Sequence, residues 1–126
     1  MAQVVVTGTA GILEPRVPAL SEAVHAAAQE AFGLPPGKRF HRFVPLPREL
    51  FLHPRSEDYT IIEVSLFTGR STAAKKAFIA GVYRRTTALG LAAEDVEITI
   101  TETPRENWGI RGVPGDELEL GYRVDV

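Results

Sequence analysis

Gly33-Leu34 followed by Pro47-Arg48-Glu49 returns as Gly90-Leu91 followed by Pro104-Arg105-Glu106, each residue 57 positions further on (Gly33 to Gly90). Identities held at one offset mark an internal repeat, and the residues between them give the repeat its shape. Gln3-Val4-Val5-Val6-Thr7 is a β-branched run too short for a helix, bounded by Gly8 and Gly11. Residues 16–31 place Val17, Leu20, Val24, Ala27, Ala28 and Ala31 at helical spacing, and Gly33 stops them. A second strand runs from about Arg39 to Leu46 and ends at Pro47. The second half repeats the plan with a strand from Tyr59 to Phe67 and a helix from Ser71 to about Leu89. An alternating strand from Asp95 to Thr101 completes it.

Two strands joined by a crossover helix lie parallel in one sheet. Two such units predict an α+β fold: a four-stranded mixed sheet with both helices on one face. The other face then presents alternating β-branched residues to water unless another subunit covers it, so oligomerisation follows. The expected layout is one domain over 1–126, with the first repeat at about 2–47 and the second at about 59–104. Residues 47–58 read as a loop. The tail, 105–126, contains Trp108 and a possible last strand from Leu118 to Val124.

A chain of 126 residues with 44% hydrophobic and 24% charged residues is long enough to bury a core without staples. Cysteine is absent, which excludes disulfides, thiol catalysis and thiolate metal sites. The net charge of −2 supplies no basic field for nucleic acid or anionic lipid. No apolar run approaches the roughly 20 residues of a membrane span, and the first residues lack the marks of a signal peptide. A soluble, cytoplasmic protein without nucleic-acid or membrane partners is expected.

Two places carry possible chemistry. Thr68-Gly69-Arg70-Ser71 joins a strand to a helix. Ser71 suits the N-cap, the first turn offers free N–H groups, and Arg70 can grip a carboxylate, although from spacing alone a capped turn with a solvated arginine is the better reading. The first strand begins almost at residue 2, holding the terminal amine at the sheet edge. A free α-amine with a pKa of about 7.7–8.0 is a usable base near neutrality. His25, His41 and His53 match no zinc spacing, so no metal is expected, and His25 falls in a mostly polar stretch of its helix. Lys75-Lys76 and Arg84-Arg85 read as a solvated helix face.

The run Ile61-Ile62-Glu63-Val64-Ser65-Leu66-Phe67-Thr68-Gly69-Arg70-Ser71 resembles the tautomerase superfamily. Lys75-Lys76, Leu89-Gly90-Leu91, Asp95-Val96 and Glu106-Asn107-Trp108-Gly109 extend the match. Ala31-Phe32-Gly33-Leu34-Pro35 points within it to the branch containing malonate semialdehyde decarboxylase. The resemblance implies a homotrimer of two-repeat subunits that uses no cofactor. It also implies an N-terminal proline as acid or base, and arginines that hold the carboxylate of a small enol or oxo acid.

This chain departs from that pattern at three positions. Ala2 stands where the proline is expected, Lys38 where the decarboxylase branch has an Asp, and Thr68 where it has the first of two arginines. Removal of Met1 would leave the primary amine of Ala2. The resulting expectation is a cofactor-free tautomerase-like protein acting on a small enol, 2-oxo or 3-oxo acid. Ala2 and Arg70 are its candidate catalytic residues, and Arg39, Lys38, Phe51 and Trp108 its substrate-binding ones. A catalytically silent trimer that binds a carboxylate or serves as a scaffold is the alternative. An unrelated ferredoxin-like module is the third reading.

Overall fold

The computed structural model describes residues 2–126. Strand β1 (Ala2–Thr9) leads into helix α1 (Val17–Phe32) and strand β2 (His41–Leu46). Strand β3 (Thr60–Phe67), helix α2 (Thr72–Ala88) and strand β4 (Val96–Thr103) repeat that unit, and a two-residue hairpin, β5 (Gly109–Ile110) and β6 (Val113–Pro114), follows. The sheet order is β2-β1-β3-β4, parallel within each repeat and antiparallel where β1 meets β3. The expected mixed sheet from two strand–helix–strand units is present.

Alternation explains which face is covered. Ala2, Val4 and Val6 of β1 and Ile62, Val64 and Leu66 of β3 turn inward and join Leu20, Val24, Phe78 and Val82 of the two helices in one core. Phe32 and Phe78 stack with centroids 5.1 Å apart, tying α1 to α2. Each ring buried this fully contributes about 1.5–3 kcal/mol. The helices approach closely because Gly81 faces Ala27, where a Cβ would come within 3.3 Å of the Ala27 methyl.

The ends of the helices follow their residue types. Gly33 closes α1 at φ 67°, its N–H donating to the Gln29 carbonyl. Ser71 caps α2 by accepting from the Ala74 N–H at 3.1 Å.

Two expectations need correction. Leu118 to Val124 forms no strand. Arg105 donates to the carbonyls of Gly115 and Leu118, and Val124 packs on Gly69, so side chains hold the segment where a strand ladder would otherwise be needed. His25 is 2% exposed, its Nε2 lying 3.0 Å from the Pro36 carbonyl, because the alanine-rich flank of α1 packs inward around it. On α2, Lys75 pairs with Glu102 and Arg84 and Arg85 with Glu30, while Lys76 and Arg84 stay exposed on the solvated face. Among the described residues, no helix is long and apolar enough to cross a membrane.

Candidate functional site

The antiparallel register sets Ala2 beside Leu66, so β1 starts at the end of the sheet where β3 finishes and the Thr68–Ser71 turn begins. The first residues of β2 reach the same end, with the Val4 N–H donating to the Phe40 carbonyl at 2.9 Å. After β4 the chain turns back across this end. Trp108 meets Phe67 edge-on with centroids 5.1 Å apart, and its Nε1 donates to Thr103 Oγ1 at 2.7 Å. The Arg105 guanidinium covers the same Phe67 ring at 5.5 Å. Phe67 is thus fixed on two sides, and the tail is steered toward the start of β1.

That path creates a cavity of about 380 Å³ lined by Gln3, Lys38, Phe40, Gly109, Ile110 and Arg111. Gln3 is the neighbour of Ala2, so the cavity opens beside the beginning of β1. Ala2 itself is 5% exposed. Met1, and with it the question of its removal, lies outside the described residues.

Arg70 sits at the same end of the sheet but deeper. It is 5% exposed, its Nη1 donates to the Phe67 carbonyl at 3.2 Å, and its guanidinium lies 5.4 Å from the centre of the Phe32 ring. Beyond the Phe67 carbonyl, the hydrogen-bonding group beside its guanidinium is the Tyr122 phenol. Burial pushes its pKa down, and the neighbouring Tyr122 phenol and Glu102 carboxylate oppose that shift. Burial also raises the Tyr122 pKa, against the pull of Arg70, Arg105 and Arg111. Tyr122 therefore lies within the field of three arginines. Val124 covers Gly69, and the Ser71 hydroxyl donates to the Val126 carbonyl oxygen at 2.9 Å. A carboxylate arriving from solvent reaches Arg70 only by displacing this C-terminal segment.

The remaining predicted residues separate. Lys38 lines the cavity. Arg39 turns toward α1 and pairs with Glu22 at 2.8 Å, an exposed contact that holds the Glu22 carboxyl below its usual pKa. Trp108 buttresses Phe67 and lines a separate shallow groove with the hairpin. Phe51 stacks on Tyr59, meets His53 edge-on and shares a small pocket with Thr9, which at the ordinary strand rise lies roughly 23 Å from Ala2 at the opposite end of β1. Within one protomer Phe51 does not meet the other candidates.

Two residues were missed by sequence reasoning. Arg111 stands at the hairpin tip and Tyr122 in the segment expected to be a strand. The sequence signal for the first was Arg111-Gly112, a turn dipeptide between apolar residues; the second carried none.

This arrangement defines a class: a two-repeat β-α-β protein with a cationic cavity, of a size for a small acid, at the start of its first strand. The chain belongs to the tautomerase enzyme family, whose model matches residues 38–111. It is 40% identical over 57 residues to the 2-hydroxymuconate tautomerase of Comamonas testosteroni, a stretch covering 44% of this chain and 90% of that protein. Among solved structures, the R7 fused 4-OT asymmetric trimer superposes with a TM-score of 0.80 at 20% identity, covering 91% of this chain and 97% of that one. Malonate semialdehyde decarboxylase, studied for its decarboxylase and hydratase activities, gives 0.76 at 18% identity, with 86% and 89% covered. At these identities the structural likeness speaks for the fold.

Proposed function

We propose that the chain is a cofactor-free tautomerase of a small enol or oxo carboxylic acid, with the α-amine of Ala2 as its proton carrier once Met1 is removed. The observation that carries this reading is the position of Ala2: first residue of β1, paired with Leu66, and next to Gln3 on the wall of the cavity. The amine takes the hydroxyl proton of the enol and a proton is returned to carbon, leaving the oxo acid. A primary amine with a pKa of about 7.7–8.0 holds enough neutral form near pH 7 for this task. It lacks the ring geometry of a proline, so a modest turnover is expected.

Arg70 does not line the cavity, and it is assigned to the negative charge that develops on the enolate oxygen only once the C-terminal segment over Gly69 moves aside. A fixed, poorly solvated guanidinium acts more strongly there than one exposed to water. Lys38 supplies positive charge to the bound acid. Trp108 acts indirectly, by fixing Phe67.

The active form is read as a homotrimer. Solved proteins of this fold include trimers, and the uncovered sheet face carries Val5 and Ile61 on adjacent strands. The test is turnover of 2-hydroxymuconate and of phenylenolpyruvate by the purified protein, followed against pH. The expected result is a kcat/KM that rises through the amine's pKa and levels off above it. No turnover of either compound, with Met1 shown to be absent, would make the protein a carboxylate-binding relative.

A further inference from the structure

The tip of the β5–β6 hairpin holds a strained side chain that the proposed reaction does not use. Ile110 pairs with Val113, leaving Arg111 and Gly112 as a two-residue turn with φ 53° and 88°. Positive φ at both central positions is the geometry that favours Asn-Gly or Gly-Gly, since a side chain with a Cβ is strained in the left-handed region. Arg111 is the one non-glycine residue with positive φ among those described. Strain of this kind gathers where a side chain must be aimed. Here it brings Arg111 to the wall of the 380 Å³ cavity, with Lys38 also on the lining and Phe40 and Ile110 supplying apolar surface.

The surroundings show what these two cations lack. Most of the basic side chains are engaged: Arg16 with Asp58, Arg39 with Glu22, Lys75 with Glu102, and Arg105 with two carbonyl groups. Among the described residues, neither Lys38 nor Arg111 has an ion-pair partner, and both face one cavity with no carboxylate on its wall. Buried Arg70, by contrast, is closed off by the C-terminal segment over Gly69.

We infer that Lys38 and Arg111 form a carboxylate clamp that anchors the acid. The guanidinium offers the two-pronged hydrogen bonding that a carboxylate fits, and the ammonium adds a second, movable donor. The rest of the ligand lies against Phe40 and Ile110, so the preferred acid carries an aryl or alkyl group beside its carboxylate. This inference rests on the reading of the cavity as the substrate site, but it is tested by binding, independently of turnover.

Isothermal titration with benzoate, and with benzyl alcohol as an uncharged counterpart, supplies the test. Arg111→Asn is the informative variant because Asn-Gly suits the turn. Its thermal midpoint is expected to stay level or rise, which excludes misfolding. Wild type should bind benzoate in preference to the alcohol, and more weakly as salt increases. Arg111→Asn and Lys38→Met should each weaken benzoate binding about tenfold, the effect of losing one charge-assisted contact. Benzoate binding unchanged in both variants, or no preference for benzoate over the alcohol in wild type, would overturn the clamp. Clamp-dependent binding in a protein without turnover would sink only the catalytic reading. Turnover with benzoate binding indifferent to both variants would sink only the clamp.

Discussion

Arg70 is an ion kept almost entirely from water without a carboxylate bonded to it, its contacts being a carbonyl, the Phe32 ring and the neighbouring Tyr122. A buried charge left short of partners costs stability, and an apolar side chain of similar length removes that cost. Arg70→Met is therefore expected to leave the unfolding temperature unchanged or raise it, while lowering kcat by about 100-fold if the guanidinium meets the developing enolate. Parallel calorimetry and turnover would check both halves; a destabilised variant of normal activity would make Arg70 purely structural. His41 gives a separate prediction at this scale. Its Nδ1 lies 2.8 Å from Ser21 Oγ, and burial first, then the nearby His25 and Arg39, hold its pKa down at about 4. The unfolded chain takes up that proton near pH 6.5 and the folded one only near 4, so the stability present above pH 6.5 is lost as pH falls through this window. Urea midpoints at pH 7 and pH 4.5 should differ more in wild type than in His41→Gln.

The elements were legible where the pattern was local. β1 announced itself as a short β-branched run and β4 by alternation, and Gly33 and Ser71 marked helix ends whose geometry is now visible. Leu118–Val124 misled because its apolar alternation serves a different end. Tyr122 packs on the core and Val124 on Gly69, and Arg105 holds the segment's start across a separation in sequence that no local pattern reveals. Arg111 escaped notice for the same reason: a hairpin with two-residue strands is too short for periodicity to register. Ala2 could be found because the first strand begins at residue 2 and the family resemblance puts the proline there; Lys38 was reached through the resemblance alone. The separation of Phe51 from that end depends on the run of the 47–58 loop, which composition does not determine.

At the scale of the whole molecule, one face of the sheet is packed by α1 and α2 and the other is not. Thr7 pairs with Val44 on one side and Ile61 on the other, and Val5 pairs with Arg42 and Glu63, so apolar and charged rows alternate across the open face. A face of this makeup suits a specific subunit contact better than free exposure. Ile61→Arg should convert a trimer into monomers in light scattering, with the protomer still folded. A wild-type monomer would contradict the trimer reading outright. The central claim is narrower, that the Ala2 amine carries the proton. The direct test is intact mass together with 2-hydroxymuconate turnover, on the natural N-terminus and on a form with one extra residue before Ala2. The account predicts a mass lacking Met1, turnover by the natural form, and its loss in the extended form with folding and assembly unchanged. Equal turnover by both forms would contradict it.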